Sequence, residues 1–247
     1  MNAAAWAGVL LLSAAFGGPD AGAAGPRPGW QRMSKSLLYF DAEGSLANEI
    51  GLGRWEEASG ARVKTKAIDG GTSPDGRFAW TIDLRATWNS LKTKALEEQR
   101  VLRFFDPAGR ELWAEEGADA PPGSAPLVFS DDGKTCLLAL RRPSGWYAAA
   151  KTYLGNTLWE TGPFPKLEAL QLSPNGRYGL ARWNDPEKSS VHGFLDLSRK
   201  LRQDVPSDRF LLGKSRIDDH GRAFSADKLV FSFEQPAAPA PAKEGTR

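Results

Sequence analysis

A five-residue turn recurs along this chain and sets its architecture. Ser73-Pro74-Asp75-Gly76-Arg77 returns as Ser130-Asp131-Asp132-Gly133-Lys134 and again as Ser173-Pro174-Asn175-Gly176-Arg177. A weaker copy is Asp218-Asp219-His220-Gly221-Arg222. The glycines lie 57, 43 and 45 residues apart. Pro presets φ for a turn, Asp or Asn tolerates the left-handed region, and Gly supplies positive φ. Apolar runs flank the turns, such as Leu127-Val128-Phe129 before Ser130 and Cys136-Leu137-Leu138-Ala139-Leu140 after Lys134-Thr135. Asp-Gly or Asn-Gly between such runs is a strong hairpin signal.

A second hairpin alternates with the first. Its copies are Leu38-Tyr39-Phe40-Asp41-Ala42-Glu43-Gly44, Arg103-Phe104-Phe105-Asp106-Pro107-Ala108-Gly109 and Lys151-Thr152-Tyr153-Leu154-Gly155-Asn156. Gly193-Phe194-Leu195-Asp196-Leu197-Ser198-Arg199 is a degenerate fourth. Two copies run into Glu111-Leu112-Trp113-Ala114-Glu115 and Thr157-Leu158-Trp159-Glu160-Thr161. A Trp at one repeat position predicts a shared packing site between neighbouring sheets.

Two hairpins per unit make a four-stranded antiparallel sheet, and a unit of roughly 40–50 residues is the size of a propeller blade. One such sheet cannot bury both faces alone, so units must stack. The Ser-Pro-Asp-Gly-Arg turn and the Phe-Asp-x-x-Gly-x-x-Leu-Trp hairpin resemble the WD-like repeats of TolB-type β-propeller proteins; Gly-x-x-Leu-Trp also resembles quinoprotein-type blades. The resemblance spans about Leu37 to Phe233, carries no catalytic residue, and implies that the first turn joins inner strands A and B and the second joins outer strands C and D. The expected fold is all-β: a small propeller of four blades of four strands, closed by pairing of the N- and C-terminal hairpins. The strand near Ser36–Phe40 would then run antiparallel to that near Lys228–Phe233. The alternatives are a β-sandwich or an open repeat array.

Residues 1–24 contain no Lys or Arg, hold the apolar run Val9-Leu10-Leu11-Leu12, and end in the small-x-small pattern Ala21-Gly22-Ala23. They read as a signal peptide, which implies a secreted or periplasmic bacterial protein. The apolar stretch is too short to span a bilayer. No Cys stands at the junction, so no lipid anchor is expected. Residues 25–35 read as a linker, 36–234 as the propeller-like domain, and 235–247 as a disordered Pro/Ala-rich tail.

The chemistry-bearing patterns are sparse. The net charge is +2 and no basic run stands out, which argues against nucleic acid. The only two histidines, His192 and His220, lack metal-ligand spacing. There is no nucleophile elbow or phosphate-cradling loop. Asp75, Asp131, Asp132, Asp218 and Asp219 are explained by turn geometry, since the Asp-x-Asp-x-Asp-Gly calcium loop is absent. Cys136 reads as a small core residue. Glu56-Glu57, Glu97-Glu98 and Glu115-Glu116 read as solvated doublets, and most of the Trp residues as core. No catalytic residue, metal or cofactor is therefore expected.

The first turn spacing exceeds the others, which places an insertion near Arg85–Gln99. Its second half is rich in helix formers, so one or two helical turns on a loop are expected. Insertions in repeat proteins often map to the binding face, making Trp88, Lys92 and Lys94 the candidate residues for a protein or peptide partner. The expected function is an exported, non-catalytic binding scaffold. The alternative is a polysaccharide- or peptide-acting lyase or hydrolase with its site at the axial mouth.

Overall fold

The computed structural model describes residues 28–57, 63–89, 91, 95–122, 124–186, 189–206 and 215–233. All regular structure among them is β, in five antiparallel sheets whose strands follow one another in chain order. Blade one is β1 (Gly29–Met33), β2 (Ser36–Phe40) and β3 (Leu46–Gly51). Blade two is β4 (Glu56–Glu57), β5 (Val63–Thr72), β6 (Ala79–Trp88), β7 (Ala95–Phe105) and β8 (Glu111–Glu116). Blade three is β9 (Leu127–Phe129), β10 (Thr135–Arg142), β11 (Gly145–Thr152) and β12 (Thr157–Phe164). Blade four is β13 (Leu167–Leu172), β14 (Tyr178–Asp185), β15 (Ser189–Asp196) and β16 (Leu201–Pro206). Blade five is β17 (Ser215–Ile217), β18 (Arg222–Ser225) and β19 (Lys228–Ser232). This is a propeller-type array of three units of five, four and four strands with a three-stranded partial blade at each end.

The turns form as their residues dictate. Ser73 Oγ donates to Asp75 Oδ1 at 2.5 Å and accepts the Phe78 N–H at 3.0 Å. Ser130 with Asp132, and Ser173 with Asn175, repeat the arrangement at 2.7 and 2.9 Å. Gly76, Gly133 and Gly176 hold φ of 69°, 66° and 71°, which a Cβ would strain. The weak fourth copy is a different turn. Asp218 accepts the N–H of His220 and Arg222, with a side-chain bond from Arg222 Nε at 2.8 Å. That is the pattern of Asp106 with Arg110, the Phe-Asp-x-x-Gly turn.

Blades pack in chain order. Trp30 and Leu37 of blade one meet Ala79 and Phe105 of blade two. Phe78, Trp80, Leu102 and Phe104 meet Cys136, Leu138 and Ala149 of blade three. Leu137, Ala148 and Phe164 meet Leu170, Ala181 and Trp183 of blade four. Leu180 and Phe194 meet Ile217 and Ala223 of blade five. Trp113 fills the shared site expected of it: it stacks on Phe104 with centroids 4.8 Å apart and donates to the Tyr153 carbonyl at 3.0 Å.

Three expectations need correction. First, the terminal hairpins do not share a sheet. Tyr39 pairs with Trp30 and Asn48 in blade one, whereas β19 pairs with β18 in blade five. Each expected half-blade has a third strand of its own, β1 or β19, so both sides of β2 are already occupied. Second, β1 lies inside the span 25–35 read as a linker. It is joined to β2 by Ser34-Lys35, a turn without the Gly, Asn or Asp that marks the others. Third, Arg85–Trp88 and Ala95–Gln99 are strand rather than helix. Cross-strand pairing through Arg85↔Gln99 and Thr87↔Glu97 overrides the helix propensity of Leu96-Glu97-Glu98-Gln99. The segments 1–24 and 235–247 lie outside the described residues.

Candidate functional site

The β6–β7 hairpin is the outlier of the array. Its strands run 10 and 11 residues, against 8 for each of the matching strands in blades three and four. Trp88 is the last residue of β6; Lys92 and Lys94 lie outside the described residues. The Trp88 ring meets Trp55 edge to face with centroids 6.0 Å apart, and Lys66 Nζ lies 5.8 Å from the centre of the Trp55 ring. The Trp88 indole N–H is buried without an acceptor among the described residues. A register shift after Thr87 leaves Leu96 as an extra, unpaired residue beside Trp88. Leu96 is 67% exposed and Leu91, at the tip, 78%. Large aliphatic side chains exposed at the end of a hairpin that also carries an aromatic pair are what a recognition surface presents.

A second feature lies on the other side of the same two strands. A cavity of about 220 Å³ lies between blades one and two, lined by Glu49, Arg54, Glu56, Thr65, Thr81, Asp83, Arg103 and Phe105 among others. Its floor comes from β6 and β7. Residues of one strand alternate between faces, and directly paired residues share a face. Ala79, Thr81 and Asp83 with Phe105 and Arg103 therefore face blade one, while Trp80 and Ile82 with Phe104 and Leu102 face blade three. The first set turns polar as it leaves the apolar contact with Trp30 and Leu37. The alternation Ala79-x-Thr81-x-Asp83 against Trp80-x-Ile82 is the signal that would have found it.

The floor is an ordered network. Buried Thr81 donates from Oγ1 to Asp83 Oδ1 at 2.7 Å. Arg103 donates to Asp83 Oδ2 at 3.2 Å and to Glu111 Oε2 at 2.6 Å, and its guanidinium sits 5.2 Å from the centre of the Phe105 ring. Burial opposes the charge on Arg103, but the bonds to Glu111 and Asp83 outweigh it and raise its pKa. At the rim, Glu49 accepts from Ser36 Oγ at 2.6 Å, and Arg54 and Glu56 are exposed.

The remaining candidates are structural. Cys136 is fully buried and burial pushes its thiol up to about 12, away from nucleophilic character. Burial, and then the charge of Arg182, pull His192 down to about 4. Asp75, Asp132 and Asp218 spend their oxygens on turn N–H groups. Among the described residues no group of His, Cys, Asp and Glu is arranged to hold a metal ion, and no helix is long and apolar enough to cross a membrane.

These sheets and turns define a β-propeller-type repeat protein. No family model matches the chain, and no curated protein matches its sequence. Solved structures it is similar to include the β-propeller domain of the Trilobed protease from Pyrococcus furiosus (10% identity, TM-score 0.42, covering 58% of this chain and 44% of that one). Others are TolB from Acinetobacter baumannii (15%, 0.35, 71% and 50%) and prolyl oligopeptidase B from Galerina marginata (10%, 0.42, 64% and 25%). The chain spans less than two thirds of each. At these values no residue role carries over, and the class rests on the repeats of this chain itself.

Proposed function

We propose that this protein is an exported, non-catalytic scaffold that binds a protein or peptide partner through the far end of the β6–β7 hairpin. One observation carries the reading: Leu91 and Leu96 are exposed at the far end of the longest hairpin among the described residues, whose strand β6 ends on Trp88, paired with Trp55. Lys92 and Lys94, between Leu91 and Ala95 in the sequence, bring positive charge to the same segment. The leader-like residues 1–24 support a location in the bacterial periplasm or outside the cell. A photo-crosslinking residue placed at Leu91 and expressed in the native host tests the surface, with the same residue at Leu201 as control. A single discrete adduct at Leu91 alone is expected. No adduct, or equal labelling at Leu201, overturns the reading. Mass spectrometry of the native protein tests export: an intact Met1 form in the cytoplasm defeats it.

A further inference from the structure

Blade five has no fourth strand among the described residues. β17 packs beside β13 and β14 as β13 packs beside β9 and β10, so β17, β18 and β19 are the first, second and third strands of their blade. In blades three and four the third strand lies between a second and a fourth, and residues 148–151 of β11 and 191–196 of β15 are buried. β19 has β18 on one edge and no strand among the described residues on the other. Its burial reflects this: Leu229 is 52% exposed, and Val230 and Phe231 are only half-buried.

An open edge offers backbone N–H and C=O groups to any strand that can pair with them, and proteins blunt such edges with charge or Pro. The outermost strands of blades two, three and four follow that rule. β8 carries Glu111, Glu115 and Glu116, β12 carries Glu160 and Pro163, and β16 carries Arg202 and Asp204. β19 departs from it. Its single charge, Lys228, stands at its first position, and Leu229-Val230-Phe231-Ser232-Phe233 holds no charge, Gly or Pro. That is the make-up of a segment that pairs with its own kind. The residues that follow in the sequence suit the place poorly. Pro236 and Pro239 lack the N–H of a ladder strand, and in a strand spanning both they fall on opposite edges, so one of them faces β19. A second copy of β19 meets no such obstacle. Two copies related by a two-fold axis pair antiparallel, which sets each Lys228 across from the uncharged Ser232 end of the other. The same pairing of β8 would set Glu111 against Glu116. Once the two edges have met, neither is left open, so association stops at two. The register shift at Val230 is no bar, because blades two and three hold their strands together across such shifts.

We infer that the outer edge of β19 pairs with β19 of a second copy of this chain, joining two three-stranded blades into one continuous sheet. The inference is independent of the hairpin reading. So short a ladder buries much less than the roughly 1,200–2,000 Å² of stable interfaces, so the dimer is weak and reversible. Its test is sedimentation velocity on the full chain from about 1 to 200 μM, with hydrogen exchange followed at both limits. A shift from monomer to dimer is expected as concentration rises, with exchange slowed in β19 and unchanged in β8, β12 and β16. Leu229→Lys places charge on the edge at an exposed position. It should weaken the dimer by about tenfold or more and leave thermal unfolding unchanged. Leu201→Lys on β16 and Leu91→Lys at the hairpin tip should both keep the dimer. A monomer at every concentration overturns the inference, whether β19 exchanges fast or is protected within one chain. So does a dimer that survives Leu229→Lys, one that is lost with Leu91→Lys, or growth beyond two copies. Crosslinking at Leu91 tests the hairpin reading separately, and neither result decides the other.

Discussion

The backbone N–H of Asn175 donates to the Asp219 carboxylate at 2.7 Å, and the Asn175 side chain returns a bond to the Asp219 carbonyl at 3.2 Å. The two residues lie in the first turns of blades four and five, which differ in type. The same seam continues through Asp131 N–H to the Pro174 carbonyl and Arg77 to the Asp132 carbonyl, both at 2.8 Å. The repeated turns thus tie each blade to the next as well as reversing the chain.

Asp219→Ala removes one of these ties and leaves an N–H without its acceptor. A loss of about 1 kcal/mol in urea unfolding is expected. Hydrogen exchange should place the loss in blade five first. Uniform loss of protection across all blades would refute that assignment.

Lys200 sits at φ 53°, in the left-handed region that Gly44, Gly109 and Gly155 supply in the other outer turns. A side chain there costs about 1–2 kcal/mol, of which glycine's larger unfolded-state freedom returns about half. Lys200→Gly should therefore raise the unfolding free energy by roughly 0.5–1 kcal/mol, read as a higher urea midpoint with no change in slope.

Two tryptophans of one strand should separate in their energetics. Trp80 is 5% exposed within the interface between blades two and three, and Trp80→Ala is expected to cost about 3–5 kcal/mol. Trp88→Ala loses chiefly the edge-to-face contact with Trp55, about 0.5–1.5 kcal/mol. Comparable losses from both variants would make Trp88 a core residue and remove it from the recognition surface.

His192 predicts an acid dependence of stability. Burial, then Arg182, lower its pKa from 6.5 to about 4, so between these values the unfolded chain holds a proton that the folded chain does not. The contribution is complete above pH 6.5 and is lost as pH falls toward 4, amounting to up to about 3 kcal/mol. Asp106 and Asp196 act lower. Burial raises their pKa, but bonds from Arg110 to Asp106, and from Ser198 and Arg199 to Asp196, pull them below 3.8. Their contribution is present above 3.8 and lost only as pH falls through the depressed values. His192→Asn should flatten the stability curve between pH 7 and 4.5, and an unchanged slope would refute the account.

What the sequence made legible is what local chemistry controls. Gly76, Gly133 and Gly176 announced their hairpins because a left-handed residue between apolar runs has few other uses. The strand β1 was hidden because Ser34-Lys35 carries no such mark. The strand character of Leu96–Gln99 was hidden because partners on β6, not propensity, decide it. Of the sites, Trp88 could be singled out by its place in the longest repeat. Of the cleft, the polar floor was legible in the alternation Thr81-x-Asp83, but the rim was not, because Glu49, Arg54 and Thr65 come from separate elements and converge only when blades one and two pack.

The order in which blades meet also fixes when each can form during synthesis. The first interface has all its buried residues once Phe105 has been made, and the second once Ala149 has. The third is complete at Leu197 and the fourth at Ala223. Among the described residues, none of these four interfaces waits for a distant later segment, so the growing chain can bury these apolar faces blade by blade from the N-terminal end. The last blade is left as the one most readily shed.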